Sequence, residues 1–199
     1  MRPTLISAIL NTPKVVPYFD LSFQHAHPEV LRRMKRFGGT KDFLNLIESI
    51  RKINPEAGIR SNFIVGFPGE TEAEYEEIKI FLEQAQLDAI GIFGYSVEDG
   101  TEAANFTDTL AQEVIDQRVN DLTVIANELM SQKAHSRIGQ QVQVLVESVE
   151  DNEVTGRIMQ QGPEVDGLTY VLEARASVGD VINGVVVGSV GADLEVRTS

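Results

Sequence analysis

Over the first 137 residues, short apolar runs alternate with stretches of helical periodicity, and that alternation restricts the possible folds more than any other feature of the chain. Val15 to Gln24, Ile59 to Phe67 and Ala89 to Tyr95 are mostly apolar and rich in β-branched or aromatic residues, as expected of buried parallel strands. The segments between them read as helices with marked ends. Pro28 occupies a first helical position, Leu31 and Met34 follow at a spacing of three, and a short helix runs to about Arg36. Gly38 and Gly39 interrupt the chain before Lys41 to Ile53, which carries Phe43, Leu46, Ile47, Ile50 and Ile53 on one face. Thr71 and Glu74 form a capping box that opens a helix burying Tyr75, Ile78, Phe81, Leu82 and Ala85. A last long helix starts near Ala111 and runs to about His135, with Ile115, Val119, Leu122, Ala126 and Leu129 at heptad spacing. A single helix of this kind predicts packing on the sheet rather than a coiled coil. Strand, crossover helix and strand in succession define an α/β layer.

After Gly139 the texture changes. Val142, Val144 and Val146 face one way, and Val181 to Val190 resembles a second alternating strand. Asp166-Gly167 predicts a hairpin turn, and Val178-Gly-Asp180 predicts another. Short strands with eight glycines between residues 139 and 199 suggest a small β-barrel. The chain therefore divides into residues 1–137 and 138–199, with the link at His135 to Gly139.

Composition narrows the chemistry. With no cysteine, these residues offer no disulfide framework, thiol nucleophile, cysteine zinc site or cysteine-ligated iron–sulfur cluster. No apolar run approaches the ~18 residues of a spanning helix, and the apolar start stops at Asn11, so the expected location is the cytoplasm. The net charge of −13 repels a phosphate backbone and disfavours nucleic acid unless a basic patch is segregated. The acidity is most one-sided from Ile138 onward, where 3 basic residues face 10 acidic ones. A basic protein would be steered toward that part.

Several constellations stand at the predicted strand ends. Gly66-Phe-Pro-Gly-Glu-Thr71 follows a strand and opens a capped helix. It is either a tight turn set by Gly66, Pro68 and Gly69 or a place where a ligand approaches the backbone. Gln24 and His25 end the first strand as hydrogen-bonding groups, for a ligand or for the turn itself. His25 and His27 lack an obvious third metal ligand, so no metal site is assigned. Arg60 and Asn62 share one side of an otherwise apolar strand; Arg60 either pairs with a carboxylate such as Asp20 or faces an anionic ligand. Tyr95 leaves the third strand at the same rim. Glu98 and Asp99 beyond it read as an exposed acidic turn ending at Gly100, with a paired-carboxylate site as the alternative.

Taken together, Val16 to Ala26, Val30 to Arg36, Arg60 to Thr71, and Tyr95-Ser96 with Gly100-Thr101 resemble the radical S-adenosylmethionine (SAM) methylthiotransferases. The resemblance is closer to the branch that modifies an aspartate of a small-subunit ribosomal protein than to the tRNA-modifying, MiaB-like branch. It extends over nearly the whole chain, with residues 139–199 similar to the family's TRAM domain. It implies the second half of a partial, TIM-like (β/α) barrel followed by an all-β TRAM barrel. It also implies SAM as cofactor and 4Fe-4S clusters whose cysteine ligands this chain lacks. The chain is thus expected to be inactive alone, and the resemblance assigns no catalytic residue. It puts Gln24, His25, Arg60, Asn62 and Tyr95 along the SAM and substrate cavity, with Gly66, Pro68 and Gly69 shaping its rim. The acidic TRAM domain is expected to recognise a basic ribosomal protein, a tRNA substrate or a non-catalytic binding module being the alternatives. No membrane partner is expected. A strand from Val15 to Gln24 without an outer neighbour predicts self-association through its edge.

Overall fold

The computed structural model describes residues 1–199 apart from Asn152 and Glu164. Three parallel strands, β1 (Tyr18–Asp20), β2 (Gly58–Val65) and β3 (Ala89–Gly94), lie side by side in chain order. Helix α1 (Pro3–Asn11) precedes them, α2 (Pro28–Arg33) and α3 (Thr40–Ile53) cross from β1 to β2, α4 (Glu72–Ala85) crosses from β2 to β3, and α5 (Gln112–His135) follows. Successive residues of a strand point to opposite faces, so β2 buries Ile59, Ser61, Phe63 and Val65 on one side and leaves Arg60, Asn62 and Ile64 half-buried on the other. The helices gather on the buried side. There Phe23 stacks on Phe43 with ring centroids 4.1 Å apart, and Phe81 of α4 meets Phe63 at 5.8 Å. Consecutive parallel strands with their crossover helices on one face form an arc of an α/β barrel whose inner face carries Arg60, Asn62 and Ile64.

Local chemistry explains the differences from the sequence reading. The ten-residue first strand shrinks to three because Pro17 has no N–H to donate and can only accept, from Gly58 N at 2.9 Å. Beyond Asp20 the chain kinks, with Phe23 N donating to Leu21 O at 2.8 Å, and rejoins β2 at Gln24 through a single bridge to Phe63. Helix α2 stops at Arg33 rather than Arg36 because Lys35 turns left-handed at φ 57° and Arg36 N closes back on Leu31 O at 2.7 Å, a Schellman-type ending. Ile53, placed on the packing face of α3, is 56% exposed at its last residue, where no helix covers it. The capping box at Thr71 and Glu74 is present, and all five apolar positions assigned to α4 are buried.

Strands β4 (Gln141–Glu150), β5 (Glu153–Arg157), β6 (Thr169–Leu172), β7 (Val181–Val190) and β8 (Asp193–Thr198) close a barrel in the order β4-β5-β6-β8-β7. Its core is formed by Val144, Val146, Val154, Ile158, Val171, Val186, Leu194 and Val196, and Ala134 of α5 packs into it. The hairpin at Asp166-Gly167 is present, though not as a two-residue turn. It lies in a longer connection, residues 158–168, between the antiparallel pair β5 and β6, and Asp166 is buried. The turn at Val178 to Asp180 is closed by Ser177 N donating to Asp180 Oδ2 at 2.8 Å.

Candidate functional site

A cavity of about 670 Å³ opens where the sheet's inner face meets the C-terminal strand ends, the end at which α/β barrels place their ligands. Gln24, Asn62 and Tyr95, three of the residues singled out from sequence, line it together with Ile64, Phe67 and Phe93. Asn62 reaches it because it shares the inner face of β2. Gln24 does so because its left-handed backbone, φ 69°, turns the chain at the strand end while Gln24 N and O remain tied to Asn62 O and Ile64 N at 3.0 and 2.8 Å. Tyr95 is held by its N–H on Val65 O at 2.8 Å and by its ring edge-on to Phe67 at 5.2 Å. Its hydroxyl is buried and has no hydrogen-bond partner among the described residues, so the wall presents an unsatisfied polar atom. Phe67 and Phe106, 6.0 Å apart, and Met34 supply apolar surface, while Lys35 and Glu102 pair across the mouth. Glu98 borders the same mouth and Asp99 is exposed.

The other sequence-selected residues stand behind or below this wall. His25 is buried: its Nδ1 accepts His27 N at 2.9 Å, which puts the ring hydrogen on Nε2, facing Glu70 Oε2 at 3.3 Å. Glu70 also accepts Gly66 N at 2.9 Å and Arg118 Nη1 at 2.5 Å. Gly66 and Gly69 both need positive φ, 79° and 74°. A side chain at Gly66 would come within 2.5 Å of Ile115 Cγ1, and one at Gly69 would collide with Asp108. These glycines and Pro68 therefore shape the turn and do not line the cavity. Arg60 also lies outside the lining. It pairs with Asp20 at 3.7 Å, as one of the two sequence readings had it, and with Asp166 of the β-barrel at 3.5 Å.

Sequence reasoning missed the cations that fix the turn. Arg118 of α5 is 7% exposed and bridges Glu70 and Glu72, its guanidinium over the Tyr75 ring at 4.8 Å. Arg33 of α2 donates to both oxygens of Glu74, at 3.0 and 3.1 Å, and to Gly69 O at 3.3 Å. Burial would raise the Glu74 carboxyl, but these Arg33 bonds, followed by those from Thr71 N and Oγ1, hold it down at about 2. An arginine inside an amphipathic pattern gives no sign in sequence of the carboxylate that it will meet.

The chain matches two family models, the radical SAM superfamily over residues 2–82 and the TRAM domain over residues 138–198. The first part of the partial α/β barrel is thus similar to the radical SAM superfamily, and the closed β-barrel that follows it is similar to TRAM domains. The particular grouping comes from whole-chain relatives. Proteins named ribosomal protein uS12 methylthiotransferase RimO are similar to it at 58% identity in Saccharopolyspora erythraea, 55% in a Nocardioides species and 54% in Kineococcus radiotolerans. Each match covers 98% of this chain and 41%, 42% and 41% of the respective relative, so the chain is similar to RimO-type methylthiotransferases and spans about two fifths of the length of those curated relatives. Among solved structures, coproporphyrinogen III oxidase (HemN) from Escherichia coli is similar over 62% of this chain and 28% of its own, at 18% identity and a TM-score of 0.46. No helix among the described residues is long and apolar enough to cross a membrane. Without cysteine, and with no group of three or more His, Asp or Glu placed to hold a metal among the described residues, these residues do not fit an iron–sulfur cluster.

Proposed function

We propose that this chain supplies the SAM-facing wall and the protein-docking barrel of a RimO-type methylthiotransferase, with ribosomal protein uS12 as the substrate. The observation that carries this reading is the cavity at the strand ends, where two side-chain amides and an unsatisfied buried hydroxyl stand on an aromatic wall. Its volume falls in the ~300–1,000 Å³ range of small-molecule sites. Gln24, Asn62 and Tyr95 would hold SAM, their polar atoms meeting the nucleoside and amino-acid ends while Phe67 and Phe93 cover its apolar parts. When bound, SAM supplies a sulfonium-activated carbon. The residues of this chain orient it and exclude water. His25, Arg60, Gly66, Pro68 and Gly69 act from behind by fixing the strand ends and the turn. Because the chain does not fit the 4Fe-4S group, it binds without turnover when alone.

The acidic TRAM barrel, residues 138–199, is the part we assign to a basic partner, which favours a ribosomal protein over tRNA. The names of the relatives point the same way. Self-association through the first strand is part of the proposal, confined to the short edge at Tyr18–Asp20 beside the half-exposed Val15 and Val16; light scattering of a clean monomer at high concentration would remove it. Calorimetric titration with SAM tests the site. Binding by the wild type that is lost when Gln24 and Asn62 are both replaced by alanine supports the assignment, and a flat titration of the wild type overturns it. Capture of purified uS12 that disappears in 1 M salt supports the docking assignment, and undiminished capture contradicts it.

A further inference from the structure

The β-barrel meets the sheet through charges. The connection at residues 158–168 reaches the starts of β1 and β2, where Asp166 Oδ2 accepts hydrogen bonds from the Tyr18 hydroxyl and from Gly162 N, the latter at 2.7 Å. Asp166 Oδ1 lies 3.5 Å from Arg60 Nε, and the Asp166 side chain is 1% exposed. A second cluster lies alongside. Arg137, just beyond α5, pairs with the buried carboxylate of Asp88 and with Glu56 at 3.4 Å, and the other Asp88 oxygen accepts Ile59 N at 2.8 Å. Gln160 Nε2 donates to Glu56 O at 3.1 Å. The backbones interlock as well: a side chain at Gly58 would come within 2.8 Å of Gln160 Cα, and one at Gly162 within 2.5 Å of the Tyr18 oxygen.

Between the two clusters is a space of about 20 Å³ whose walls include Asp88, Lys133, Arg137, Gln160 and Asp166. That is room for one water. Gln160 Oε1 and Asp166 Oδ1 are both buried and without a hydrogen-bond partner among the described residues. The Gln160 amide cannot flip to relieve this, because its Nε2 is committed to Glu56 O. Gln160 and Asp166 both line this one-water space, and one group that donates two hydrogens would serve both free acceptors. Lys133 and Arg137 in the walls, with Arg60 beside Asp166, disfavour a metal cation there.

We propose that this junction is a hydrated polar latch, with one ordered water donating to Gln160 Oε1 and Asp166 Oδ1, which locks the β-barrel to the N-terminal end of the sheet so that the two move as one body. Asp166 is its keystone, since among the described residues of the loop it is the one that joins Tyr18, Arg60 and the water. Arg60 in turn donates to Asn62 Oδ1 at 3.4 Å, so the seat of the barrel reaches an amide of the cavity wall. A protein held by the barrel then has a fixed bearing on the cavity.

Residual dipolar couplings measured on the full chain test the lock, with a crystal structure to locate the water. One alignment tensor shared by residues 1–137 and 138–199 in the wild type, lost in Asp166→Ala and in the milder Asp166→Asn, is expected. Two tensors in the wild type, or the wild-type tensor retained in whichever variants fold, would overturn the latch. Electron density for a single water within hydrogen-bonding distance of both acceptors supports the site, whereas a metal ion or a protein group in that space refutes it.

Discussion

Replacing Glu74 by glutamine keeps the shape of the side chain and removes its charge from the point where α2, α4 and the Gly66–Gly69 turn are joined. The Glu74 side chain is 9% exposed and accepts from Arg33 Nη1 and Nη2 and from Thr71 N and Oγ1. Its carboxyl is displaced from an ordinary 4.5 to about 2. At about 1.4 kcal/mol per pH unit, that displacement is worth about 3 kcal/mol at neutral pH. Because the folded value is the lower one, the contribution is complete above the unfolded value near 4.5 and disappears as pH falls toward about 2. Urea unfolding of both proteins at pH 7 and pH 3 measures it. The stability gap should be about 3 kcal/mol at pH 7 and shrink to about 1 kcal/mol at pH 3, where the wild type has lost most of the charge interaction. Comparing the two proteins at each pH cancels the titration of every other carboxylate. A gap of equal size at both pH values would refute the electrostatic account and leave only a shape effect.

The remaining predictions concern the turn and the cavity wall. Gly66→Ala combines a left-handed backbone with a methyl group 2.5 Å from Ile115 Cγ1 and should cost about 1–3 kcal/mol, read as a drop of several degrees in the midpoint of a thermal scan; an unchanged midpoint would contradict the geometry. Tyr95→Phe removes a buried hydroxyl without a partner among the described residues, so stability should stay the same or rise by up to about 1 kcal/mol in urea unfolding while SAM affinity falls several-fold by calorimetry. A clear loss of stability in that variant would mean that the hydroxyl is already satisfied within the protein.

Features governed by neighbours in the chain were legible in the sequence. The capping box, the proline start of α2 and the five buried positions of α4 each depend on residues within a turn or two, and each stands where the pattern puts it. Alternation along β2 likewise separated Arg60 and Asn62 from Ile59, Ser61 and Phe63. What sequence could not give was the depth of a residue along its own strand. Arg60 and Asn62 face the same way, yet Asn62 reaches the cavity and Arg60, two residues nearer the strand's start, meets a carboxylate 106 positions along the chain. His25 has a similar history: it follows Gln24 directly but points to the opposite side, into the Glu70 and Arg118 cluster. Asp166-Gly167 does lie in the β5–β6 hairpin connection, but short-range rules do not register that its aspartate also serves as a buried acceptor far along the chain.

Gln24 holds a backbone conformation that glycine would adopt without penalty, and for a side chain of its size that posture costs on the order of 1 kcal/mol. Glycine there would give a more stable fold and a blank spot on the cavity wall. A selection for thermal robustness alone should therefore favour Gln24→Gly, and the protein so obtained would be sturdier and less able to grip the SAM proposed for this cavity.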